Sequence, residues 1–288
     1  MKYFTKDWYE TMQKTDYALL LKVTKEAETF SEDYFEKLYK SKEKEFLKIQ
    51  KEASEISFED VYPEEFPEEL FFEEVEGFPP YTEAEKKEIQ EQYYKDREQA
   101  RLNYENLPPF DIEQARKNFR AGYKCNLKKL KENLPQDILT KVADIRVLAL
   151  DYSSAQVKKE IAQYCKNNKK TVEKASKDYW KEYKKQFKST PPTFAEEFNL
   201  HDCIVLSCRK KGKDIILSLD NSGGFTNIKE IRFKNCNVIK QDAPLHGAWC
   251  LYDELYKSGN RYEIHQLLYR NKPFEYIVST DNVIFKYD

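Results

Sequence analysis

The sequence predicts an α+β protein, in which a helical N-terminal region is followed by a small antiparallel β-roll or open barrel. The first observation is a change of period, because apolar residues recur every three to four positions before residue 193 and every two positions after it. The second is that five of seven glycines and all three histidines lie after residue 200. Between them, "KSTPPT" carries paired prolines, which stop a helix. We therefore expect a helical region over 1–193 and a β domain over 194–288.

Five helices are expected before the prolines. Apolar faces at helical spacing and N-cap residues predict them at 31–54, 82–104, from Asp111 onward, at 136–149 and at 154–187. The second begins with "TEAE", which fits a capping box at Thr82, and Asp111 is a plausible N-cap of the third.

Short segments with period-two alternation follow the linker. They are separated by turn sequences such as "KKGK", "NSGG" and "RNKP", so their pairing must be mostly antiparallel. "WCLYDELYK" also fits a helical period, and we interpret it as a strand. In "LDNSGGFT" the glycines are followed by a strand rather than a helix, which favours a hairpin or bulged turn with positive φ at the glycines over a phosphate-binding loop.

The overall composition disfavours several classes of protein. With 49 basic and 51 acidic residues the net charge is −2, which gives no overall field to attract nucleic acid or an anionic membrane. No apolar run reaches membrane-spanning length, and the first residues lack the apolar core of a secretory signal. Six scattered cysteines favour a reduced, cytoplasmic protein.

An acidic connector extends over residues 52–85, where thirteen acids and no base are interspersed with phenylalanines and prolines. One interpretation is an irregular connector whose aromatic residues attach it to the helices. The other is an acidic surface that mimics nucleic acid or binds a basic partner. For a protein-binding surface, the candidate residues are Phe66, Phe71, Phe72, Glu73 and Glu74 in the connector and Trp249 in the β domain.

Residues 157–188 have the opposite charge, with eleven lysines and four acids. Lysines interleaved with Tyr179 and Trp180 would suit single-stranded nucleic acid. An amphipathic helix with aromatics at 179, 183 and 187 on one face and lysines on the other explains the pattern without a ligand. Arginine, the usual phosphate-binding residue, is absent from this range, which disfavours a nucleic-acid partner.

The stretch "NLHDCIVLSCR" groups four chemically reactive residues. The spacing of Cys203 and Cys208 puts their sulfurs on opposite faces of a strand, and the chain has no CxxC, HxH or HExxH, so we predict no metal and no cofactor. His201 and Asp202 would likewise point to opposite faces of a strand. A catalytic cysteine paired with a histidine remains open. The weak candidates for an enzyme site at the junction of the two regions are His201, Asp202 and His265, with Asp220 or Glu263.

Several stretches resemble a known family. The opening "MKYFTKDWYETMQKTD" and the later "LHDCIVLS", "LDNSGGFTNIKEIRFKN", "IKQD" and "YEIHQLL" are similar to an uncharacterised family of Gram-positive bacteria, domain of unknown function four-zero-eight-five. Cys250 stands where that family would have a second tryptophan after Trp249. The resemblance implies a bacterial, cytoplasmic protein and brings no catalytic residue with it.

These observations leave three functional hypotheses. The first is a non-enzymatic protein-binding module, analogous to immunity proteins that inhibit toxins, because aromatic and charge-segregated surfaces suit protein recognition. The second is an enzyme that uses the histidines of the β domain. The third is a nucleic-acid binder that acts through residues 157–188.

Overall fold

The computed structural model describes residues 1–72, 81–188 and 191–287. Its helices are α1 (Lys6–Met12), α2 (Glu32–Ser54), α3 (Phe58–Val61), α4 (Glu68–Phe71), α5 (Glu83–Glu105), α6 (Ile112–Asn133), α7 (Gln136–Leu139), α8 (Ile145–Leu148) and α9 (Ala155–Phe187). Its strands are β1 (Lys22–Val23), β2 (Tyr152–Ser153), β3 (Ile204–Lys211), β4 (Asp214–Asp220), β5 (Ile228–Lys234), β6 (Asn237–Gln241), β7 (Trp249–Ser258), β8 (Arg261–Arg270), β9 (Lys272–Thr280) and β10 (Asn282–Tyr287). The α+β prediction is confirmed.

The chain divides into two compact units. One comprises Met1–Leu20 with Lys158–Asp288, and the other comprises Leu21–Val157. The division into domains at residue 193, which the sequence predicts, stays a prediction. None of the helices in the described ranges is long and apolar enough to cross a membrane.

The first unit is built on an eight-stranded antiparallel sheet with the order β10-β5-β4-β3-β7-β8-β9-β6. Because β10 and β6 are its two edges, the sheet is open and does not close into a barrel. "WCLYDELYK" lies in β7, as predicted, and "NSGG" connects β4 to β5 in an antiparallel hairpin.

The two faces of this sheet bury different kinds of side chain. We call one the core face, where Leu255, Ile264 and Val278 join a large apolar cluster. We call the other the helix face, which carries Tyr252, Glu254 and Tyr256 on β7. The N-terminal segment and α9 cover part of the helix face, with Phe4, Trp8 and Tyr179 packed against these tyrosines.

The second unit contains most of the predicted helices. Ser31, Thr82 and Asp111 cap α2, α5 and α6, and Thr82 forms the predicted capping box with Glu85. Helices α2 and α6 pack through ring contacts, among them Tyr39 with Phe119 at a centroid distance of 5.2 Å.

The helix predicted over 136–149 is wrong, because two short helices, α7 and α8, occupy this range. Asp144 starts the second of them by accepting a hydrogen bond from the backbone N–H of Arg146 at 2.9 Å. The same carboxylate also holds the Arg146 guanidinium, which contacts Glu32 of α2 as well. A capping residue in the middle of the apolar pattern therefore restarts the helix.

Candidate binding surface on the sheet

His201 and Asp202 lie in a turn before β3 rather than in a strand. Asp202 has a φ of 66°, in the left-handed region, so the alternation of a strand does not apply to this pair. His201 Nδ1 lies 3.0 Å from Asp202 Oδ2, although no aligned hydrogen bond reaches Nδ1 from the described residues. The prediction that the two side chains point to opposite faces is therefore wrong.

The glycines of "NSGG" support this turn by leaving room for it. A Cβ atom on Gly224 would lie 2.6 Å from Cys203 Sγ and 3.1 Å from the carbonyl oxygen of His201. Positive φ occurs instead at Gly212, Gly247 and Gly259 among the described glycines. The expectation of positive φ at Gly223 and Gly224 is therefore wrong, and close approach of the chain explains Gly224.

The sulfur positions also differ from expectation. A β-bulge between Val205 and Ser207 shifts the register of β3, so Cys208 lies opposite Leu217, whose side chain belongs to the core face. Cys203 also belongs to that cluster. Both cysteines thus share one face, with Cys203 buried and Cys208 exposed, and partial removal from water raises the pKa of both thiols, which disfavours a thiolate nucleophile.

Helix α1 is fixed to the helix face by a single buried carboxylate. Glu254 is fully buried and accepts hydrogen bonds from the backbone N–H groups of Lys2, Tyr3 and Phe4 at 2.8, 2.7 and 2.5 Å. The hydroxyl of Tyr256 donates a fourth hydrogen bond at 2.7 Å. These bonds satisfy amides that would otherwise be buried without acceptors, and they place the helix that follows.

Beyond this anchor, aromatic side chains form a half-exposed surface. Trp249 is 49% exposed and lies opposite Tyr269, which is 37% exposed, on β7 and β8. Tyr252 follows on β7, with Tyr9 of α1 beside it at a ring distance of 6.4 Å. The ring of His201 meets Tyr252 edge-on at 5.2 Å. We call Tyr9, His201, Asp202, Trp249, Tyr252 and Tyr269 the aromatic surface.

The carboxylate of Asp202 belongs to the same surface. The pKa of Tyr9 is raised by burial, then by Tyr269 and Asp202. Burial also raises the pKa of Tyr252, with further contributions from Tyr9 and Asp202. Among the described residues, no lysine or arginine lies over the rings of Tyr9, Trp249, Tyr252 or Tyr269. The surface therefore combines open aromatic faces with one negative charge.

His265 lies at a different place on the same face. It packs on Tyr256 at 4.8 Å, four residues along β7 from the Tyr252 that contacts His201. A strand rises about 3.3 Å per residue, so the two tyrosines that the histidines contact are about 13 Å apart along the strand. Burial lowers the pKa of His265, and its Nε2 lies 3.4 Å from Glu263. The structure does not bring His201, Asp202 and His265 together.

The other enzyme candidates also have local roles. Asp220 accepts a hydrogen bond from the backbone N–H of Ser222 within the β4–β5 loop. Among the described residues, no cluster of three or more histidines, cysteines and carboxylates is arranged to hold a metal ion.

The acidic connector is attached to α5 in its described part. Phe66 is 9% exposed and meets Tyr93 edge-on at 5.2 Å, while Phe71 and Phe72 pack on Phe66. The Tyr93 hydroxyl donates a hydrogen bond to the carbonyl oxygen of Pro63 at 2.7 Å. Glu73 and Glu74 lie outside the described residues. These contacts agree with the interpretation of an irregular connector held by its aromatic residues.

The lysine-rich helix, α9, exposes fewer aromatic rings to solvent than its sequence suggests. Tyr179 is 3% exposed, and its hydroxyl accepts a hydrogen bond from the backbone N–H of Leu255. Trp180 is 50% exposed. Tyr179 is therefore unavailable for stacking on a base.

Sequence reasoning identified Trp249, His201 and Asp202 but missed Tyr9, Tyr252 and Tyr269. Period-two alternation puts Tyr269 on the face opposite to that of Leu268, and it carries no signal for which rings from separate strands meet. The position of Tyr9 depends on Glu254, whose contacts reach more than two hundred residues back along the chain.

Comparison with known proteins identifies a family. The model of a family described as "Protein of unknown function (DUF4085)" matches residues 96–277. Neither the curated proteins nor the solved structures contain a match.

Proposed function

Since this chain belongs to the DUF4085 family of proteins of unknown function, we propose from its own geometry that it is a non-enzymatic protein-binding module. Its aromatic surface receives a lysine or arginine side chain of a partner protein. A bacterial setting, which the family resemblance implies, and a cytoplasmic one, which the cysteine pattern predicts, are part of this proposal.

The observation that carries the proposal is the pair of exposed rings, Trp249 and Tyr269, which lie with the partly buried Tyr9 and Tyr252 beside the carboxylate of Asp202. Tryptophan and tyrosine faces attract a cation through the ring quadrupole, by about 0.5–1 kcal/mol at exposed sites and more when water is excluded. A neighbouring carboxylate adds to this attraction, and tryptophan and tyrosine are enriched among residues that dominate binding energy. Because no cation of the described chain lies over these rings, a partner can supply it.

The enzyme hypothesis has less support. Its histidines contact different tyrosines, and the buried thiols have raised pKa values. A binding role requires only the surface as it stands.

The test uses immobilised peptides that are identical except for one central residue: lysine, arginine, norleucine or glutamate. Norleucine keeps the aliphatic chain of lysine without its charge. We expect the protein to prefer lysine and arginine over norleucine by ~5-fold or more. Trp249→Ala and Asp202→Asn should remove this preference.

Trp180→Ala is the matched control, because Trp180 is as exposed as Trp249 and lies on α9. Equal binding of norleucine and lysine would contradict the proposal, and so would an unchanged preference in Trp249→Ala. Self-association that Trp249→Ala abolishes, without preference for a basic residue, would assign the surface to a second copy of the chain instead.

A further inference from the structure

The second unit contains a cavity of about 320 Å³ between α2, α6 and the segment that follows α8. This volume is at the lower end of the range of small-molecule sites. Its lining comprises Lys42, Glu45, Phe46 and Ile49 from α2, Asn118, Phe119, Gly122, Tyr123 and Asn126 from α6, and Ala149, Leu150 and Asp151. All of these residues belong to one compact unit, so the cavity is independent of the aromatic surface.

Aromatic rings held by neighbouring rings form the apolar wall. Phe46 contacts Phe119 at 5.6 Å, and Tyr39 contacts both Phe119 and Tyr123 at 5.2 Å. These mutual contacts leave the exposed ring surfaces at defined positions. An apolar wall of this kind suits an aromatic or branched aliphatic group.

Gly122 gives the cavity part of its space. It lies in the middle of α6, where glycine costs about 1 kcal/mol relative to alanine. A Cβ at this position would meet nothing within 4 Å, so no packing contact accounts for the glycine. Its lack of a side chain extends the open volume beside Phe119 and Tyr123.

Asp151 supplies a carboxylate at the polar end. Its backbone has a φ of 68°, and its side chain has no hydrogen bond or ion pair with any part of the chain that the structure describes. Burial raises the pKa of Asp151, while Lys42 and Lys22 oppose this effect. Lys42 itself is held by Glu45 at 2.7 Å. The lining therefore carries two carboxylates and one ammonium group, and the ammonium group of Lys22 also acts on both carboxylates.

We propose that this cavity binds a small amine, with its apolar body against Phe46, Phe119 and Tyr123 and its ammonium group at Asp151. The apolar wall selects the body, and direct contact with the Asp151 carboxylate, which accepts no hydrogen bond from the described residues, selects an ammonium group. Asn118 lies on the same lining, and its side-chain oxygen accepts a hydrogen bond from Gln114. This orientation leaves the amide N–H groups of Asn118 for a polar substituent of the ligand.

Isothermal titration calorimetry of the full chain with three probes that share a phenylethyl body tests the proposal. The probes are 2-phenylethylamine, 2-phenylethanol and 3-phenylpropanoate. We expect saturable binding in the order amine, alcohol, acid. Asp151→Asn should weaken binding of the amine by roughly tenfold and leave binding of the alcohol nearly unchanged.

Two further variants keep the test decisive. Asp137→Asn, an exposed aspartate on α7 outside the cavity, should bind all three probes like the wild type. Gly122→Leu should fill the cavity and abolish binding of the amine and the alcohol, with helical content retained in circular dichroism. Equal affinity for the three probes, no saturable binding of the amine, or equal effects of Asp151→Asn and Asp137→Asn would overturn the proposal.

Discussion

Two ends of one strand carry similar residues and have different environments. On the helix face of β7, Tyr252 and Tyr256 are four residues apart, and each packs against a histidine. At the Tyr256 end, Glu254 binds the N-terminal amides and the surface is sealed, so that Tyr256 is 3% exposed. At the Tyr252 end, Trp249 and Tyr269 remain half-exposed beside Asp202. The N-terminal segment covers Tyr252 as well, through Phe4 and Trp8, so the available rings at this end of the strand are Trp249 and Tyr269.

The largest effect is expected when the carboxylate of Glu254, which holds the N-terminal segment on the sheet, is removed. Glu254→Ala should lower the free energy of unfolding by about 3 kcal/mol or more, because three backbone donors and the Tyr256 hydroxyl lose a buried acceptor. Urea unfolding measures the change.

Glu263→Ala is the comparison for this variant, since Glu263 is more exposed and reaches His265 at 3.4 Å. We expect a loss within about 1 kcal/mol for it. Equal losses in the two variants would mean that Glu254 does not anchor the N-terminal segment.

The core face also carries an acidic residue of β7, Asp253, which lies opposite Gln266 of β8. Unlike Glu254, it is not part of the N-terminal anchor. Burial raises the pKa of Asp253 to about 7, and Glu254 adds to this. An unfolded aspartate loses its proton near pH 3.9, so between about pH 4 and 7 the folded state binds more protons. The free energy of unfolding should therefore fall as the pH rises through this window, by about 2 kcal/mol because Asp253 keeps partial contact with solvent.

Urea unfolding at pH 4 to 8 tests this, and Asp253→Asn should remove the dependence. Asp214 has the opposite sign, because Lys234, the backbone N–H of Asn235 and Arg232 hold its pKa below the usual range. Its contribution is present above about pH 4 and is lost as the pH falls further. A pH profile of Asp253→Asn that equals the wild type would refute the assignment.

The turn that carries His201 and Asp202 depends on close approach of the β4–β5 loop. Gly224→Ala should destabilise the fold by about 1–2 kcal/mol, because the new methyl group meets Cys203 Sγ and the His201 carbonyl. The same change at Gly122, where space is open, should stabilise by roughly 0.5–1 kcal/mol. Thermal unfolding compares them, and Cys203→Ala should rescue part of the Gly224→Ala loss. Equal signs at the two glycines would show that close approach is not the cause.

The smallest effect is expected on the lysine-rich helix. Reversing the charges of Lys181, Lys184, Lys185 and Lys188 should leave affinity for DNA and RNA oligonucleotides at low salt unchanged, because Tyr179 is buried against the sheet. Fluorescence anisotropy provides the measurement. Salt-sensitive binding that these changes weaken would restore the nucleic-acid hypothesis.

The sequence by itself determined the local elements. Capping residues and apolar periods predicted α2, α5, α6 and α9, and period-two alternation predicted the antiparallel strands. These features depend on neighbours within a few positions, so the local pattern contains them. Even the break at Asp144 had a local signal, an aspartate that is able to cap a helix.

Only the tertiary structure decided the rest. Neighbouring strands and loops determine the turn at Asp202, the bulge in β3 and the close approach of the chain to Gly224. Likewise, Phe119 with Asp151, and Tyr9 with Tyr269, share a site because distant segments meet there. Packing fixes such meetings through contacts between residues far apart in the chain, and the period of a single element carries no information about them.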